Sequence, residues 1–347
     1  MSAVLKVLAV FLIIVLVALL GFKLYDYIQA FHYYNNSKVM FATPGVADSN
    51  FVPQGMTYDA ENKIYYFAGY MSDNTASRVY VRYEDGTVTY TELLDMEGNP
   101  YTGHAGGMEV FDKYVYVVGE ESKGVDVFML SDILGDSKTA TMIGNVKTYN
   151  APAQIYAYTF DEDRYVIVGS YHKDETDYQT PEHERITTPS GDENYSVMTV
   201  FKLSADEEET FGIVPEPVAI ISAREMIQGI CITPDRQMVV STSWGLATSE
   251  LFFYDLDKVQ HVDNYVFKSD EKVKDKFEFT LPCYFVDDSC LVNTVVAPPM
   301  SEELVYFEGA NGEGRIVVFC ESACNKYIFG KLTTGFNVFG YKYEKIR

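Results

Sequence analysis

Residues 52–70 read V-P-Q-G-M-T-Y-D-A-E-N-K-I-Y-Y-F-A-G-Y, and the rest of the chain repeats the order of residue types in this stretch. A polar residue and a glycine lead into alternating apolar positions. A short polar turn follows, and then a denser apolar run ends in a small residue and a polar one. Alternation on either side of a polar turn is typical of a β-hairpin. The stretch therefore predicts two antiparallel strands joined by a tight turn.

Four further copies of this pattern occur downstream, and they begin at His104, Tyr156, Gln228 and Glu303. Each copy is followed by other strand patterns, such as residues 78–83 and 87–93 on either side of a Glu-Asp-Gly hairpin signal. Five copies at intervals of about 50 residues or more indicate a β-propeller with four strands in each blade. We therefore expect an all-β fold with one propeller over residues 51–347.

Two polar stretches, 172–195 and 257–276, lengthen the later intervals and are interpreted as surface loops. Strand patterns over 277–296 follow the second stretch and are assigned to the fourth blade. The second stretch is also long enough to contain another blade. Five blades are favoured, and six stay open.

The N-terminal residues 3–22 are apolar apart from Lys6, and about 20 such residues cross a bilayer as one helix. A secretory signal peptide is the alternative, but its apolar core is shorter and is followed by small residues at a cleavage site. We expect residues 1–23 to form an uncleaved signal anchor in the cell membrane. The single span would leave the acidic propeller on the extracytoplasmic side.

Residues 24–50 are rich in tyrosine and asparagine and are interpreted as an interfacial aromatic belt that continues into a juxtamembrane stalk. A strand within residues 38–42 that completes the last blade is the alternative.

The formal charge of the chain is -23, from 27 Lys+Arg and 50 Asp+Glu. Nucleic acid and anionic membrane surfaces are repelled by such a charge, so neither is expected as a partner. The same charge favours a cationic ligand or metal, or serves solubility alone.

The five cysteines lie late in the chain, without any C-x-x-C pair that would indicate a zinc site. Cys283 and Cys290 flank a predicted hairpin turn, so they are candidates for a disulfide in an oxidising compartment. The sequence also does not decide whether Cys320 and Cys324 form a disulfide. The alternative is that all five are small apolar residues of strands.

The innermost strand of each blade begins beside the central channel of a propeller, so the polar residues that open the repeats are expected to converge there. These residues are Gln54, His104, Gln154 or Tyr156, Gln228, and Glu302 or Glu303. The glycines beside them, Gly55, Gly106, Gly107 and Gly229, would let backbone approach a ligand closely. Alternatively, these polar side chains form hydrogen bonds with the backbone groups at the strand ends and have no ligand.

A second ring is expected at the ends of the denser apolar runs, with Glu120, Glu121, residues 170–172, residues 241–244 and Glu321. Glu321 would bind metal or move a proton, or simply accept hydrogen bonds. Trp244 would form a pocket wall or pack under its loop. His104, the only histidine at a repeat start, would act as a base, a ligand or a structural residue.

Calcium is the metal that oxygen ligands of this kind favour, and Glu302, Glu303 and Glu321 are the candidate ligands. The sequence has no contiguous calcium loop, nucleophile elbow, phosphate-binding glycine loop or H-E-x-x-H motif. Serine-type hydrolysis and nucleotide chemistry are therefore not indicated.

Five short motifs resemble those of bacterial secreted or membrane-anchored propellers of the broad SMP-30 and YncE-like group: V-P-Q-G-M at Val52, G-H-A-G-G at Gly103, I-Q-G-I at Ile227, P-P-M-S-E-E at Pro298 and V-F-C-E-S at Val318. The resemblance covers the chain from about residue 51 and implies the propeller fold. Its lactonase and esterase branch holds calcium with Glu, Asn and Asp, whereas this chain has Gln54, His104 and Gln228 at most of those places.

The chain is also similar, more weakly, to plant-type glutaminyl cyclases, whose second blade has an acidic residue before its glycine where this chain has His104 and Ala105. The leading hypothesis is a membrane-anchored propeller that binds a small molecule, a peptide or a cell-surface protein at its channel. The alternative is a calcium-dependent, lactonase-like hydrolase or a glutaminyl-cyclase-like enzyme in that channel. A pure scaffold is the third hypothesis.

Overall fold

Five β-sheets surround a central channel in the computed structural model, which describes residues 3–119, 123–271 and 275–344. The predicted all-β, five-bladed propeller with one N-terminal apolar helix is confirmed. Glu120 and Glu121 of the predicted second ring lie outside the described residues.

The N-terminal segment consists of α1 (Ala3–Gln29), α2 (Phe31–Asn35) and β1 (Ser37–Ala42). Within α1, Leu5–Gln29 is long and apolar enough to cross a membrane, a property that an N-terminal signal sequence shares. β1 pairs antiparallel with the last strand of the fold. Of the two interpretations of residues 24–50, the structure therefore has the strand that completes the last blade.

Blades 1 and 2 each form an antiparallel sheet. Blade 1 contains β2 (Phe51–Asp59), β3 (Ile64–Met71), β4 (Arg78–Arg82) and β5 (Val88–Leu94). Blade 2 contains β6 (Met108–Phe111), β7 (Tyr114–Gly119), β8 (Gly124–Met129) and, after α3 (Leu130–Leu134) and β9 (Thr139–Thr141), β10 (Gly144–Lys147). β9 pairs in parallel with β5, so the chain of blade 2 adds a fifth strand to blade 1.

Blade 3 contains β11 (Pro152–Phe160), β12 (Asp163–Ser170) and, after a small hairpin of β13 (Ile186–Thr187) and β14 (Glu193–Asn194), β15 (Ser196–Leu203) and β16 (Ala219–Ala223). The chain then forms β17 (Ile227–Ile232), β18 (Gln237–Thr242), β19 (Ser249–Asp255), β20 (Gln260–Lys268), β21 (Glu278–Phe285) and β22 (Leu291–Ala297). Blade 4 is β17, β18, β19 and β22. Blade 5 is β23 (Ser301–Glu308), β24 (Gly314–Cys320), β25 (Asn337–Lys342) and β1.

The stretch 257–276 is neither a plain surface loop nor a sixth blade. It contains β20, which pairs with β21, and β21 joins the outer edge of blade 3 in parallel with β16. Phe267 and Leu281 of this hairpin are buried against Val197 and Ile220 of blade 3. The assignment of 277–296 to blade 4 was therefore wrong for β21 and right for β22.

The five innermost strands, β2, β6, β11, β17 and β23, contact one another in that order and close the ring between β23 and β2. A glycine at the start of a strand permits this close packing. A Cβ atom on Gly55 would lie 2.6 Å from the backbone nitrogen of Met108, and one on Gly229 would lie 2.4 Å from the Cα of Glu303. These glycines therefore serve contact between neighbouring inner strands, not the expected approach to a ligand.

β-Bulges interrupt four of the inner strands near their first residues. The register shifts in β2 between Pro53 and Gly55, in β11 between Pro152 and Gln154, in β17 between Ile227 and Gly229, and in β23 between Ser301 and Leu304. A bulged residue does not pair with the neighbouring strand, and its side chain is re-aimed. The bulges thus determine which polar side chains turn to the channel.

The described cysteines are all free and buried, so no disulfide joins Cys283 to Cys290 or Cys320 to Cys324. Cys231, Cys283 and Cys320 lie within strands, as the apolar interpretation predicted, whereas Cys290 and Cys324 lie outside the strands.

Removal of β1 is expected to lower the thermal stability of the propeller. A fragment that starts at residue 30 keeps α2 and β1, whereas one that starts at residue 43 leaves the edge of β25 uncovered and removes the stacking of Tyr33 on Tyr341. The melting temperature of the shorter fragment, measured by circular dichroism, should be lower by about 5 °C or more. Equal melting temperatures would contradict a closing role for β1.

Candidate functional site

A cavity of about 960 Å³ opens at the channel mouth, the end of the channel where the inner strands begin. Aromatic side chains form much of its wall, and acidic and amide groups lie between them. Near the axis its lining includes Tyr70, His104, Tyr171, Gln228, Trp244, Met300, Glu321, Lys326 and Tyr327. The cavity continues sideways over blades 2 and 3 as a lateral arm, whose lining includes Lys147, Tyr149, His183, Glu184 and Phe277.

Glu321 is held at the mouth by hydrogen bonds from two directions. The Nε2 of Gln54 donates to its Oε2 at 2.7 Å, and the hydroxyl of Tyr327 donates to its Oε1 at 3.1 Å. Gln54 is the bulged residue of β2, and Glu321 directly follows β24. The sequence predicts Gln54 and Glu321 in two separate rings, and the structure joins them by a hydrogen bond.

Glu302 and Glu321 form a pair of buried acidic groups. Burial raises the pKa of the Glu302 carboxyl well above its usual value, and the charges of Glu321 and Glu303 raise it further. Burial also raises the pKa of the Glu321 carboxyl, against the opposing effects of Tyr327, Lys326 and Gln54. The pair therefore holds protons at pH values at which exposed glutamates are ionised.

His104 is neutral at physiological pH. Burial, together with the charge of Lys326, lowers the pKa of its imidazole to about 4. The ring stacks on Tyr70 with 4.9 Å between centroids and an interplanar angle of 25°. A neutral imidazole at the wall of a cavity donates one hydrogen bond and accepts another.

Lys326, Tyr327 and Tyr70 line the cavity, and sequence analysis missed them. The Lys326 ammonium contacts the Tyr70 hydroxyl and lies 4.8 Å from the centre of the Tyr70 ring. Tyr70 ends the first repeat at the place where the pattern predicts a polar residue, so its position was a usable signal. The loop after β24 gave no comparable signal.

The opposite wall is built by blades 3 and 4. Gln228, the bulged residue of β17, donates from Nε2 to the Oγ of Ser243 at 3.2 Å. The Tyr171 hydroxyl donates to the carbonyl of Ser243 at 3.1 Å. Trp244 lies at the rim with 44% of its surface exposed, and its ring contacts Tyr178 edge-on at 6.2 Å. A ligand in the cavity would meet this indole.

Glu303 lies on the axis and forms bonds to the backbone of other blades. Its Oε2 accepts the N–H of Met56 in β2 at 2.6 Å and the N–H of Met108 in β6 at 3.3 Å. Burial raises the pKa of this carboxyl well above its usual value, against the effect of these two hydrogen bonds. Glu303 therefore holds inner strands together and is not among the residues that line the cavity.

Glu109 has a similar role between blades 1, 2 and 3, and sequence analysis did not single it out. Its Oε2 accepts the N–H of Ala157 at 2.8 Å, and its Oε1 accepts the hydroxyl of Thr57 at 2.5 Å. Burial raises the pKa of its carboxyl. Alternation within β6 places a polar residue after Met108, but the pattern alone gives no reason for this residue to face the axis.

Gln154 and Tyr156 do not line the cavity. Gln154 is fully buried against Gly169 with which it pairs, and its side-chain amide has no hydrogen-bond partner among the described residues. The Tyr156 hydroxyl donates to the carbonyl of Ile232 at 3.3 Å. The bulge of β11 falls one residue before Gln154, so this glutamine keeps its place in the sheet.

The three predicted calcium ligands do not place one oxygen each within 4.8 Å of one another. Among the described residues, His172, Asp174 and Glu225 form a group that meets this criterion. The N–H of Thr180 donates to Nδ1 of His172 at 3.0 Å, which leaves the proton of the neutral ring on Nε2, 3.1 Å from Asp174. A protonated nitrogen does not bind metal, so this hydrogen-bond pattern opposes a metal ion there.

No protein-family model matches the chain, and no curated protein is significantly similar to it. Among solved structures, it is similar to a thermostable family-43 glycoside hydrolase with 10% identity, 89% of this chain and 97% of that chain covered, and a TM-score of 0.46. Glutaminyl cyclase from Myxococcus xanthus has 8% identity, coverage of 89% and 97%, and a TM-score of 0.42. A luciferin-regenerating enzyme has 11% identity, the same coverage and a TM-score of 0.41. Similarities this low do not bear on activity and do not single out the SMP-30 and YncE-like group.

The buried acidic groups are expected to make the protein less stable as the pH rises. Burial raises the pKa of Glu184 to about 7, from an ordinary 4.5. A group with a raised folded-state pKa contributes stability that is fully present below the unfolded pKa and is lost as the pH rises through the folded pKa. For the full chain in detergent, denaturant titrations at pH 5 and pH 8 should give a lower unfolding free energy at pH 8.

Between pH 5 and pH 8 the unfolding free energy of the Glu184→Gln chain should fall by roughly 2–4 kcal/mol less than that of the natural chain. Glu308→Gln, at an exposed position, is the matched control and should leave the fall unchanged. An unfolding free energy that does not fall, or the same fall in both variants, would show that Glu184 is not the titrating group.

Proposed function

We propose that the protein is a membrane-anchored propeller that binds a small molecule or a short peptide at the channel mouth. The observation that carries this proposal is the cavity of about 960 Å³, with aromatic walls and the buried carboxyl of Glu321 in its lining. Ligand sites in proteins have volumes of about 300–1,000 Å³ and combine apolar walls with a few placed polar groups. The cavity has both properties.

The polar groups of the mouth favour a ligand that carries hydroxyl or amino groups. The carboxyl of Glu321 lines the cavity, where it can donate a hydrogen bond when protonated and accept one when ionised, and it is already oriented by Gln54. The chain carries a formal charge of -23, which attracts cations and repels polyanions. Tyr171 and Trp244 offer ring faces for an apolar or planar part of the ligand.

The membrane anchor of this proposal is α1, and the propeller is placed on the extracytoplasmic side. The apolar length of α1 and the absence of a cleavage-site pattern after it support the anchor. The resemblance to membrane-anchored propellers of the SMP-30 and YncE-like group supports the same topology. A loop of a cell-surface protein is a further ligand that would fit the lateral arm of the cavity.

A thermal-shift screen tests ligand binding. The full chain in detergent is titrated with panels of monosaccharides and disaccharides, primary amines and dipeptides, and quenching of Trp244 fluorescence confirms each hit. Binding should be at least about tenfold weaker in Glu321→Gln and in Trp244→Ala, since one loses a carboxylate in the cavity lining and the other a ring face. Phe160→Ala, on the opposite face of the propeller, should bind as the natural chain does.

Hits that persist unchanged in both mouth variants would place the binding site elsewhere. Absence of any hit across the panels would argue against a ligand with hydroxyl or amino groups.

An enzyme working in the same cavity is the second candidate, because a neutral His104 lies in the same cavity as acidic groups that hold protons near neutral pH. Groups with pKa values shifted in opposite directions are typical of acid–base catalysis. A calcium-dependent hydrolase or a cyclising transferase belongs to this candidate. Substrates and partners of the chain are proposals under either candidate.

Calcium titration separates the two candidates. Under the binding proposal, millimolar calcium chloride should change the melting temperature of the full chain by no more than about 1 °C relative to magnesium chloride. A larger calcium-specific rise that disappears in Glu321→Gln would favour the calcium-dependent enzyme.

A further inference from the structure

Two exposed apolar residues lie beside the channel mouth, in the loop between β24 and β25. Ile328 is 78% exposed and Phe329 is 63% exposed. They directly follow Lys326 and Tyr327, which line the cavity. Large apolar side chains with this exposure, next to one another in sequence, indicate a surface that is covered in the working protein.

α1 is fixed to this same loop and not attached through a free linker. It contacts the short helical turn Phe329–Leu332. The Tyr34 hydroxyl donates to Oδ2 of Asp26 at 3.2 Å and is hydrogen-bonded to Oγ1 of Thr334 at 2.6 Å. Tyr33 of α2 is fully buried on blade 5. The apolar helix and the exposed apolar loop therefore form one continuous surface.

The charges of this surface differ from those of the rest of the chain. Residues 322–343 contain no aspartate or glutamate but include Lys326 and Lys331, and the chain before Asp26 also lacks acidic residues. Asp26 is buried, and the exposed Asp73, which is joined to Asn325 of the loop through Asn50, lies outside these two segments. Apolar and aromatic side chains flanked by lysines suit the headgroup boundary of a bilayer, whereas an acidic surface is repelled by anionic lipid.

We propose that Ile328 and Phe329 insert into the headgroup boundary of the bilayer that α1 crosses, so that the channel mouth faces the membrane. This inference rests on the proposed anchoring by α1. The occupant of the apolar surface is lipid, and the argument for it is continuity with α1 together with the local lack of acidic charge. A ligand then enters the cavity from the layer of solvent next to the bilayer.

Quenching of a single tryptophan by brominated lipid tests the inference. Trp244 is the only tryptophan and is replaced first by Trp244→Phe. In that background, Phe329→Trp is compared with Phe160→Trp, an exposed position at the far end of β11 on the opposite face of the propeller. Both full chains are reconstituted in phosphatidylcholine nanodiscs with and without dibrominated acyl chains.

The emission of the Phe329→Trp chain should fall by about half in brominated discs, and that of the Phe160→Trp chain by no more than about a tenth. If the Phe329→Trp chain does not fold, Ile328→Trp in the same background replaces it and should show the same fall in emission. Equal emission with and without bromine at both loop positions, in chains that remain in the discs, overturns the membrane-facing mouth and leaves the binding proposal standing. Chains that do not remain in the discs overturn the anchor and this inference together.

Discussion

The inner strand of each propeller blade has one edge without a partner strand, and the backbone N–H groups of that edge must still be satisfied. Two buried carboxylates supply acceptors in this protein. Glu303 accepts from Met56 and Met108, and Glu109 accepts from Ala157, so each carboxylate joins strands of different blades. The deeper part of the channel is thereby occupied by side chains that maintain the ring. The mouth is the part that remains open to solvent.

The position of each bulge decides whether a polar side chain serves the ring or the cavity. Gln54 and Gln228 are bulged residues, and one reaches Glu321 while the other lines the cavity wall. Gln154 lies one residue past its bulge and stays within the sheet. The bulge of β23 spans both Glu302, which is buried and interacts electrostatically with Glu321, and Glu303, which accepts hydrogen bonds from the backbone of β2 and β6. One backbone irregularity thus gives neighbouring residues different tasks.

The fold could be predicted from the sequence because every blade repeats the same hairpin pattern at its start. Of the polar residues that the repeats singled out, His104, Gln228 and Glu321 line the cavity and Gln54 binds Glu321, whereas Gln154, Tyr156 and Glu303 are not in its lining. Pairing between blades was not predictable from these patterns. β9 leaves blade 2 for blade 1, and the hairpin of β20 and β21 leaves blade 4 for blade 3. Such pairings depend on which sheet edges lie near each other after folding.

Several site residues were missed for the same physical reason. Tyr70, Lys326 and Tyr327 approach His104 only once blades 1, 2 and 5 are in contact, and no local pattern encodes that contact. In β11 the bulged residue is Ala153, so the glutamine that the repeat pattern singled out lies one position later and within the sheet. The residues at the repeat starts therefore indicated where the cavity lies, but they did not identify all the residues that line it.

The pairing of β1 with β25 has a consequence for biosynthesis. β1 is made just after α1 and α2, whereas β25 is made after every other strand of the ring. A nascent chain must therefore hold its first strand unpaired throughout translation, and an interrupted chain cannot seal its ring. The open seam of an unfinished chain therefore exposes the unpaired backbone groups of β1.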